Sequence, residues 1–109
     1  MPADFDVSSE TTPTGAGVLR VAGELDLASA PRLEEAIAAT GADPIVIDLS
    51  ECTFLDSAGM RVLVGSARDL VDGGRTLRVV ANDPRILRVL EITAVDRLIA
   101  VHPTVEDAL

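Results

Sequence analysis

The chain has 109 residues, about the size of one domain, and 48% of them are hydrophobic. A chain of this length buries a core without needing a disulfide or a metal, and its apolar content excludes a disordered polypeptide. Acidic residues outnumber basic ones by 18 to 9, giving a net charge of −9. Because this charge repels phosphate backbones, and Phe5 and Phe54 are the only aromatic residues, we expect no direct nucleic-acid ligand.

The same composition makes a membrane or secreted role unexpected. The apolar runs are too short for a transmembrane helix, and the first residues carry no basic charge of the kind that begins a signal peptide. Cys52 is the only cysteine, and we expect it to be a buried, inert thiol. We therefore expect a single cytoplasmic domain over residues 1–109 that uses no cofactor.

Strand-like and helix-like segments alternate along the whole chain, which predicts one α/β domain. Strands are predicted at residues 5–7 and 18–21, joined as a hairpin by a long polar loop over residues 8–17. The hydroxyl of Ser29 is predicted to cap a first helix that ends at Gly41. The apolar positions of this helix are Ala30, Leu33 and Ile37. Residues 45–47 are β-branched and apolar on both faces, which predicts a buried central strand.

The most regular pattern lies between Ser57 and Asp72 and predicts an amphipathic helix that Gly73 and Gly74 end. Its predicted core positions are Met60, Leu63, Val64, Ala67, Leu70 and Val71. A strand at residues 76–80 and a third helix capped by residues 82–84 are expected next. That helix is predicted to turn Ile86, Leu87 and Leu90 inward. A short strand at residues 98–101 and a final helical turn capped by Thr104 complete the prediction.

Ser57 occupies a notable position because an apolar stretch leads directly into the regular helix at this residue. A serine there is predicted to be the N-cap, and the cap alone would be enough to explain it. The helix face away from the core is predicted to present Ala58, Arg61, Val62, Gly65 and Arg68. A glycine in mid-helix costs about 1 kcal/mol relative to alanine. Gly65 therefore indicates either close internal packing or room for a docking partner.

Few residues of the chain suit catalysis. It has one histidine, His102, and no motif typical of zinc hydrolysis or of common nucleotide binding, so we expect no metal site and no catalytic residue. A strand, a turn at serine and a helix also resemble a hydrolase nucleophile elbow. Leu55, however, stands where that motif needs its first glycine, and His102 would have to serve as the base. We therefore expect a protein that is not an enzyme.

Three separated motifs resemble those of STAS domains, and particularly of the stand-alone bacterial anti-sigma factor antagonists. They are residues 23–26, the runs 46–49 and 54–60 taken together, and residues 82–93. The resemblance runs in order over nearly the whole chain. It implies a mixed sheet of about five strands flanked by about four helices. It also implies a part in partner-switching control of transcription, in which the unphosphorylated antagonist binds an anti-sigma factor and frees the sigma factor. That anti-sigma factor is also a serine kinase related to histidine-kinase-like ATPases, and a PP2C-type phosphatase restores the active form.

Carried onto this sequence, the resemblance implies that Ser57 is the phosphoacceptor and that Asp56 is its neighbour at the interface. The partner-binding residues expected from the motifs and the exposed helix face are Gly23, Glu24, Asp26, Asp56, Ser57, Ala58, Arg61, Val62 and Gly65. The negative net charge suits a partner with a basic surface. An alternative within the family is an accessory or scaffold subunit of a membrane transport system or signalling assembly.

The sequence departs from the pattern of many relatives at two positions. Many carry a second serine or threonine after the acceptor, whereas Ala58 stands here, so we expect Ser57 to be the only acceptor in the motif. Many also have Leu-Gly where this chain has Met60 and Arg61. Because Arg61 follows Ser57 by four residues, its side chain is within reach of a phosphate on that serine.

Overall fold

The computed structural model describes residues 5–109 and contains one five-stranded sheet in the order β1-β2-β3-β4-β5. The strands are β1 (Asp6–Thr11), β2 (Gly17–Leu25), β3 (Ile45–Leu55), β4 (Leu77–Val80) and β5 (Ala100–His102). β1 and β2 form an antiparallel hairpin, and every later pair of neighbours is parallel. The helices are α1 (Ala30–Ala39), α2 (Ser57–Asp72), α3 (Pro84–Ile92) and α4 (Val105–Ala108). The predicted α/β class with a mixed sheet and four helices is confirmed.

The alternation of side chains along the strands divides the buried residues between the two faces of the sheet. One face carries the main core, in which Leu19 and Ile47 of the sheet pack with Leu33 of α1 and Leu63 of α2. The other face carries a small cluster under α4, formed by Val18, Val46, Val80 and Ala108. β3 is therefore buried on both faces, as its apolar run predicts.

Several element boundaries differ from the prediction. β1 and β2 extend further into the predicted loop, because the backbone pairing of the hairpin holds even the polar residues of β1 in a strand. A short 3-10 helix at Val95–Arg97 was not predicted, and β5 begins at Ala100. The predicted cap of the last helix is confirmed, since Thr104 Oγ1 accepts a hydrogen bond from the Asp107 amide at 3.1 Å.

Two predicted core residues lie at the surface. Val71 is 65% exposed and Leu87 is 37% exposed. Val71 lies in the last complete turn of α2, where it lines an open groove together with Leu98, so no element of the described chain covers it. Ile86 and Leu90 of α3 are buried as predicted, and so is Cys52.

Candidate functional site

The two sequence motifs around residues 23–26 and 56–59 meet at one edge of the sheet. Leu25 and Leu55 are register partners and the last residues of the parallel strands β2 and β3. Each is followed by an aspartate, and the amide of Asp56 donates a hydrogen bond to the Leu25 carbonyl at 3.3 Å. The parallel pairing therefore places Asp26 and Asp56 in adjacent turns at the carboxyl ends of their strands.

Asp56, and not Ser57, is the N-cap of α2. Its Oδ1 accepts hydrogen bonds from the amides of Ala58 at 2.9 Å and Gly59 at 3.1 Å. Its backbone is extended, with φ −108° and ψ −173°, as an N-cap requires. The predicted N-cap at Ser57 is thus wrong by one residue. A carboxylate at this position also satisfies the positive end of the helix dipole, which a neutral hydroxyl does less well.

Ser57 is consequently the first residue of α2, and its role in the structure is small. Its side chain is exposed, and Oγ forms no hydrogen bond with any residue between 5 and 109. The hydroxyl is therefore accessible to another protein and can change chemically without loss of the helix cap.

The turn between β2 and α1 is held by a second aspartate. Asp26 Oδ1 accepts from the amides of Ala28 at 3.0 Å and Ser29 at 3.1 Å. Ser29 Oγ accepts from the Asp26 amide at 2.9 Å and donates to the Glu24 carbonyl at 2.7 Å. The predicted capping bond from the Ser29 hydroxyl to α1 is absent from the described structure, because this hydroxyl is used inside the turn. α1 ends at Ala39, two residues before the predicted Gly41.

This rigid turn presents Leu27, which is 74% exposed, beside an open groove of about 200 Å³ between α1 and α2. We call it the α1–α2 groove, and its walls are formed by Leu27, Ala30, Pro31, Glu34, Ala58, Arg61 and Val62. Ala58, Arg61 and Val62 were predicted as partner-binding residues, and the structure brings them together here. Leu27 was missed, although an exposed leucine inside an otherwise polar turn could have indicated it.

The predicted residues of the first motif lie outside the wall of this groove. Glu24 and Asp26 line a neighbouring depression with Phe5 and Arg32, and Gly23 has a φ of +93° at an irregularity in the β2–β3 pairing. Ala58 is 8% exposed, so it contributes to the groove wall and not to an exposed ridge as predicted.

The two glycines of α2 have opposite surroundings. At Gly59, a Cβ atom would stand 2.7 Å from Leu55 Cδ1 and 2.8 Å from Leu25 Cγ, so its absence allows α2 to begin directly against the ends of β2 and β3. Gly65 is exposed, and a Cβ there would meet nothing within 4 Å. Internal packing therefore does not explain Gly65. The interpretation that remains is an open surface with room for a docking partner.

The charged groups around the groove are mainly acidic. Glu34 lies in its wall, and Asp26 and Asp56 lie in the two turns at its end. Arg61 is the one arginine of the groove wall, and it forms no salt bridge within residues 5–109. Behind the site, burial raises the pKa of the Cys52 thiol, which donates to the Phe54 carbonyl at 3.2 Å. This thiol is poorly suited to chemistry at neutral pH.

Over residues 5–109, no three His, Cys, Asp or Glu side chains are arranged to bind a metal ion. No helix in that range has the length and apolar character needed to cross a bilayer.

Comparison with known proteins identifies the family. The chain belongs to the STAS domain family, because the family model for the STAS domain matches residues 9–108. It is 35% identical over 100 residues to the anti-sigma-F factor antagonist RsfB of Mycobacterium tuberculosis, a match that covers 87% of this chain and 80% of RsfB. It is 31% identical over 91 residues to an anti-sigma-B factor antagonist of Staphylococcus aureus, covering 81% of this chain and 84% of that protein.

A solved structure agrees with these relatives. The crystal structure of an anti-sigma factor antagonist from Mycobacterium paratuberculosis superposes on this chain with a TM-score of 0.89 and 35% sequence identity. The superposition covers 99% of this chain and 93% of the other. The similarity therefore extends over the whole fold, including the edge of the sheet where the two motifs meet.

Proposed function

We propose that this chain is an anti-sigma factor antagonist that works by partner switching and has no catalytic activity of its own. In its unphosphorylated form it binds a serine-kinase anti-sigma factor of the histidine-kinase-like ATPase family in the bacterial cytoplasm, and the sigma factor is released. Phosphorylation of Ser57 ends this binding, and a PP2C-type phosphatase restores it. The observation that carries the proposal is the exposed, unbonded hydroxyl of Ser57 directly before Ala58 in the groove wall.

The chemical step is a phosphoryl transfer that the partner catalyses. Ser57 Oγ forms a bond to the γ-phosphorus of ATP while the bond from that phosphorus to the β–γ bridging oxygen breaks, so ADP leaves. The hydroxyl proton passes to a base of the kinase. The phosphatase reverses the modification with water, which releases inorganic phosphate and regenerates the serine hydroxyl.

The structure supports an off-switch that leaves the fold intact. A phosphate adds about −1.5 to −2 of charge at Ser57. The start of a helix favours such a charge by about 0.3 to 1 kcal/mol, and Asp56 continues to cap α2. The effect is therefore local: a dianion beside the Asp56 carboxylate enters the contact surface, and repulsion and desolvation weaken docking.

The α1–α2 groove is the contact surface that fits this switch. It joins the exposed side chain of Leu27 to the half-buried Val62, and acidic groups surround it. An apolar anchor within a charged rim is typical of a protein interface. The partner surface that fits is apolar at its centre and basic at its edge, in keeping with the net charge of −9.

The first experiment tests the modification site. The protein is incubated with candidate kinase-type anti-sigma factors and ATP, and the phosphorylated residue is located by mass spectrometry. We expect one phosphate on Ser57, none after Ser57→Ala, and normal labelling after Ser50→Ala. Ser50 is the matched control because it is also exposed, while its hydroxyl donates to Asp48 at 2.6 Å. Phosphate on another residue of the Ser57→Ala protein would contradict the assignment.

The second experiment tests the surface. Leu27→Arg should weaken binding of the unphosphorylated protein to its kinase partner by roughly 5- to 30-fold, as loss of an interface anchor worth about 1 to 2 kcal/mol would. Leu98→Arg is the control, because Leu98 is 63% exposed in a separate groove. Val62→Arg should also lose affinity. Equal affinities of the Leu27 and Leu98 variants would place the interface elsewhere, and co-purification with a transporter instead of a kinase would favour the accessory-subunit alternative.

A further inference from the structure

Arg61 lies one turn after Ser57 on α2 and has no ionic partner in the part of the chain that the structure describes. Its side chain is exposed in the wall of the α1–α2 groove. Glu34 lines the same groove from α1, yet the two side chains form no salt bridge. The guanidinium is therefore available to a new anion near the beginning of α2.

Helix geometry places Ser57 within reach of this arginine. Residues four apart lie on the same face of a helix, with Cβ atoms about 6 Å from one another. The Cα–Cβ bonds of a helix tilt towards its N-terminus, so a long side chain covers the turn before its own residue. Helix geometry therefore allows the side chain of Arg61 to reach the turn that begins at Ser57, where the serine hydroxyl is exposed and unbonded.

We propose that Arg61 pairs with the phosphate on Ser57 and holds it against α2 as an intramolecular counter-ion. This inference rests on the phosphorylation proposed above and adds a regulatory role for a second residue of the same helix. The planar guanidinium donates two parallel hydrogen bonds to phosphate oxygens, a geometry that phosphate accepts well. Formation of the pair neutralises part of the added charge.

The neighbouring acidic groups do not compete strongly for Arg61. The Asp56 carboxylate is engaged by the amides of Ala58 and Gly59. Asp26 is engaged by the amides of its own turn, which leaves Glu34 as the acidic group of the groove wall itself. A phosphate with about −1.5 to −2 of charge attracts a guanidinium more strongly than one carboxylate does. Because the pair must open before a phosphatase can reach the ester, we expect Arg61 to slow dephosphorylation.

The test places phosphoserine at position 57 during translation, so that no kinase is needed. The second pKa of the phosphate, ordinarily about 6, is followed by phosphorus NMR during a pH titration. We expect this pKa to lie about 0.1 to 0.4 unit lower in the unsubstituted protein than in Arg61→Gln, since an ion pair favours the dianion. Arg61→Lys should keep part of the shift. Arg68→Gln should keep all of the shift, because that exposed arginine lies about 16 Å from Ser57 along the helix axis.

A second measurement follows the expected effect of Arg61 on the rate of dephosphorylation. Phosphorylated Arg61→Gln should lose its phosphate to a PP2C-type phosphatase faster than the unsubstituted protein, and Arg68→Gln should match the unsubstituted rate. Equal phosphate pKa values in the unsubstituted protein and Arg61→Gln would overturn the pairing, whatever the dephosphorylation rates. The absence of kinase labelling at Ser57 would instead count against the proposed function, so the two failures are distinguishable.

Discussion

Replacing each of the two α2 glycines by alanine should change stability in opposite directions. Gly59 is buried, and an added methyl group would lie 2.7 Å from Leu55 Cδ1, 2.8 Å from Leu25 Cγ and 3.0 Å from the Leu25 carbonyl oxygen. Carbon atoms in ordinary contact are about 3.5 to 4.0 Å apart. Gly65 lies in the same helix with nothing within 4 Å of the added atom.

The magnitudes follow from two opposing effects. Overpacking a core costs about 1 to 3 kcal/mol, and replacing glycine by alanine inside a helix returns about 1 kcal/mol. The Leu25 carbonyl cannot easily move away from the new methyl group, because its oxygen accepts a hydrogen bond from the amide of Asp56, the residue after β3. We therefore expect Gly59→Ala to lower the free energy of unfolding by about 1 to 2 kcal/mol. Gly65→Ala gains helix propensity without any overpacking, so it should raise the free energy of unfolding by about 0.5 to 1 kcal/mol.

Circular dichroism is the suitable probe, because the chain contains no tryptophan or tyrosine. In a domain of this size, 1 kcal/mol shifts the melting temperature by about 4 to 8 °C, so the two variants should separate clearly in thermal and urea unfolding. A Gly59→Ala protein as stable as the parent would refute the close packing of α2 against β2. A destabilised Gly65→Ala protein would refute the open surface at that position.

Three further predictions concern caps, pH and the thiol. Asp56→Ala should lower the free energy of unfolding in urea by about 1 kcal/mol, while Ser57→Ala should change it by only a few tenths of a kcal/mol. A larger loss in Ser57→Ala than in Asp56→Ala would indicate that Ser57 is the cap. Hydrogen bonding from Arg85 lowers the pKa of Asp83, the cap of α3. The stability from this carboxylate is complete above its unfolded pKa of about 3.9 and is lost as the pH falls towards the lower folded pKa. In Asp83→Asn the free energy of unfolding, measured in urea, should therefore depend less on pH in that acidic range. Burial raises the pKa of Cys52, so alkylation at about pH 8 should be more than tenfold slower than in urea, and equal rates would contradict its burial.

The sequence predicted an N-cap at the start of α2 but not the residue that provides it. Aspartate and serine are about equally favoured as N-caps, and here they stand next to each other. Periodicity fixes a helix boundary only to within a residue or two, so it could not decide between them. Only the positions of the Ala58 and Gly59 amides show that Asp56 accepts both hydrogen bonds.

The α1–α2 groove was beyond sequence reasoning for a different reason. Its walls come from two segments about thirty residues apart, which meet because Leu25 and Leu55 are register partners in a parallel pair. The sequence pattern predicted both strands, but it does not indicate which residues of the two strands pair. Val71 shows the same limit, because its spacing on α2 is that of a core residue although no described element covers it.

The helix cap at Asp56 and the proposed acceptor at Ser57 are separate residues, which fits a switch made by one residue in a small domain. Native proteins are stable by only about 5 to 15 kcal/mol, so a modification that removed a helix cap would use up part of that margin each time it was made. Here Asp56 holds the helix amides and Ser57 holds nothing within the described chain. The proposed phosphorylation of Ser57 would therefore change the charge of the contact surface without removing the cap of α2.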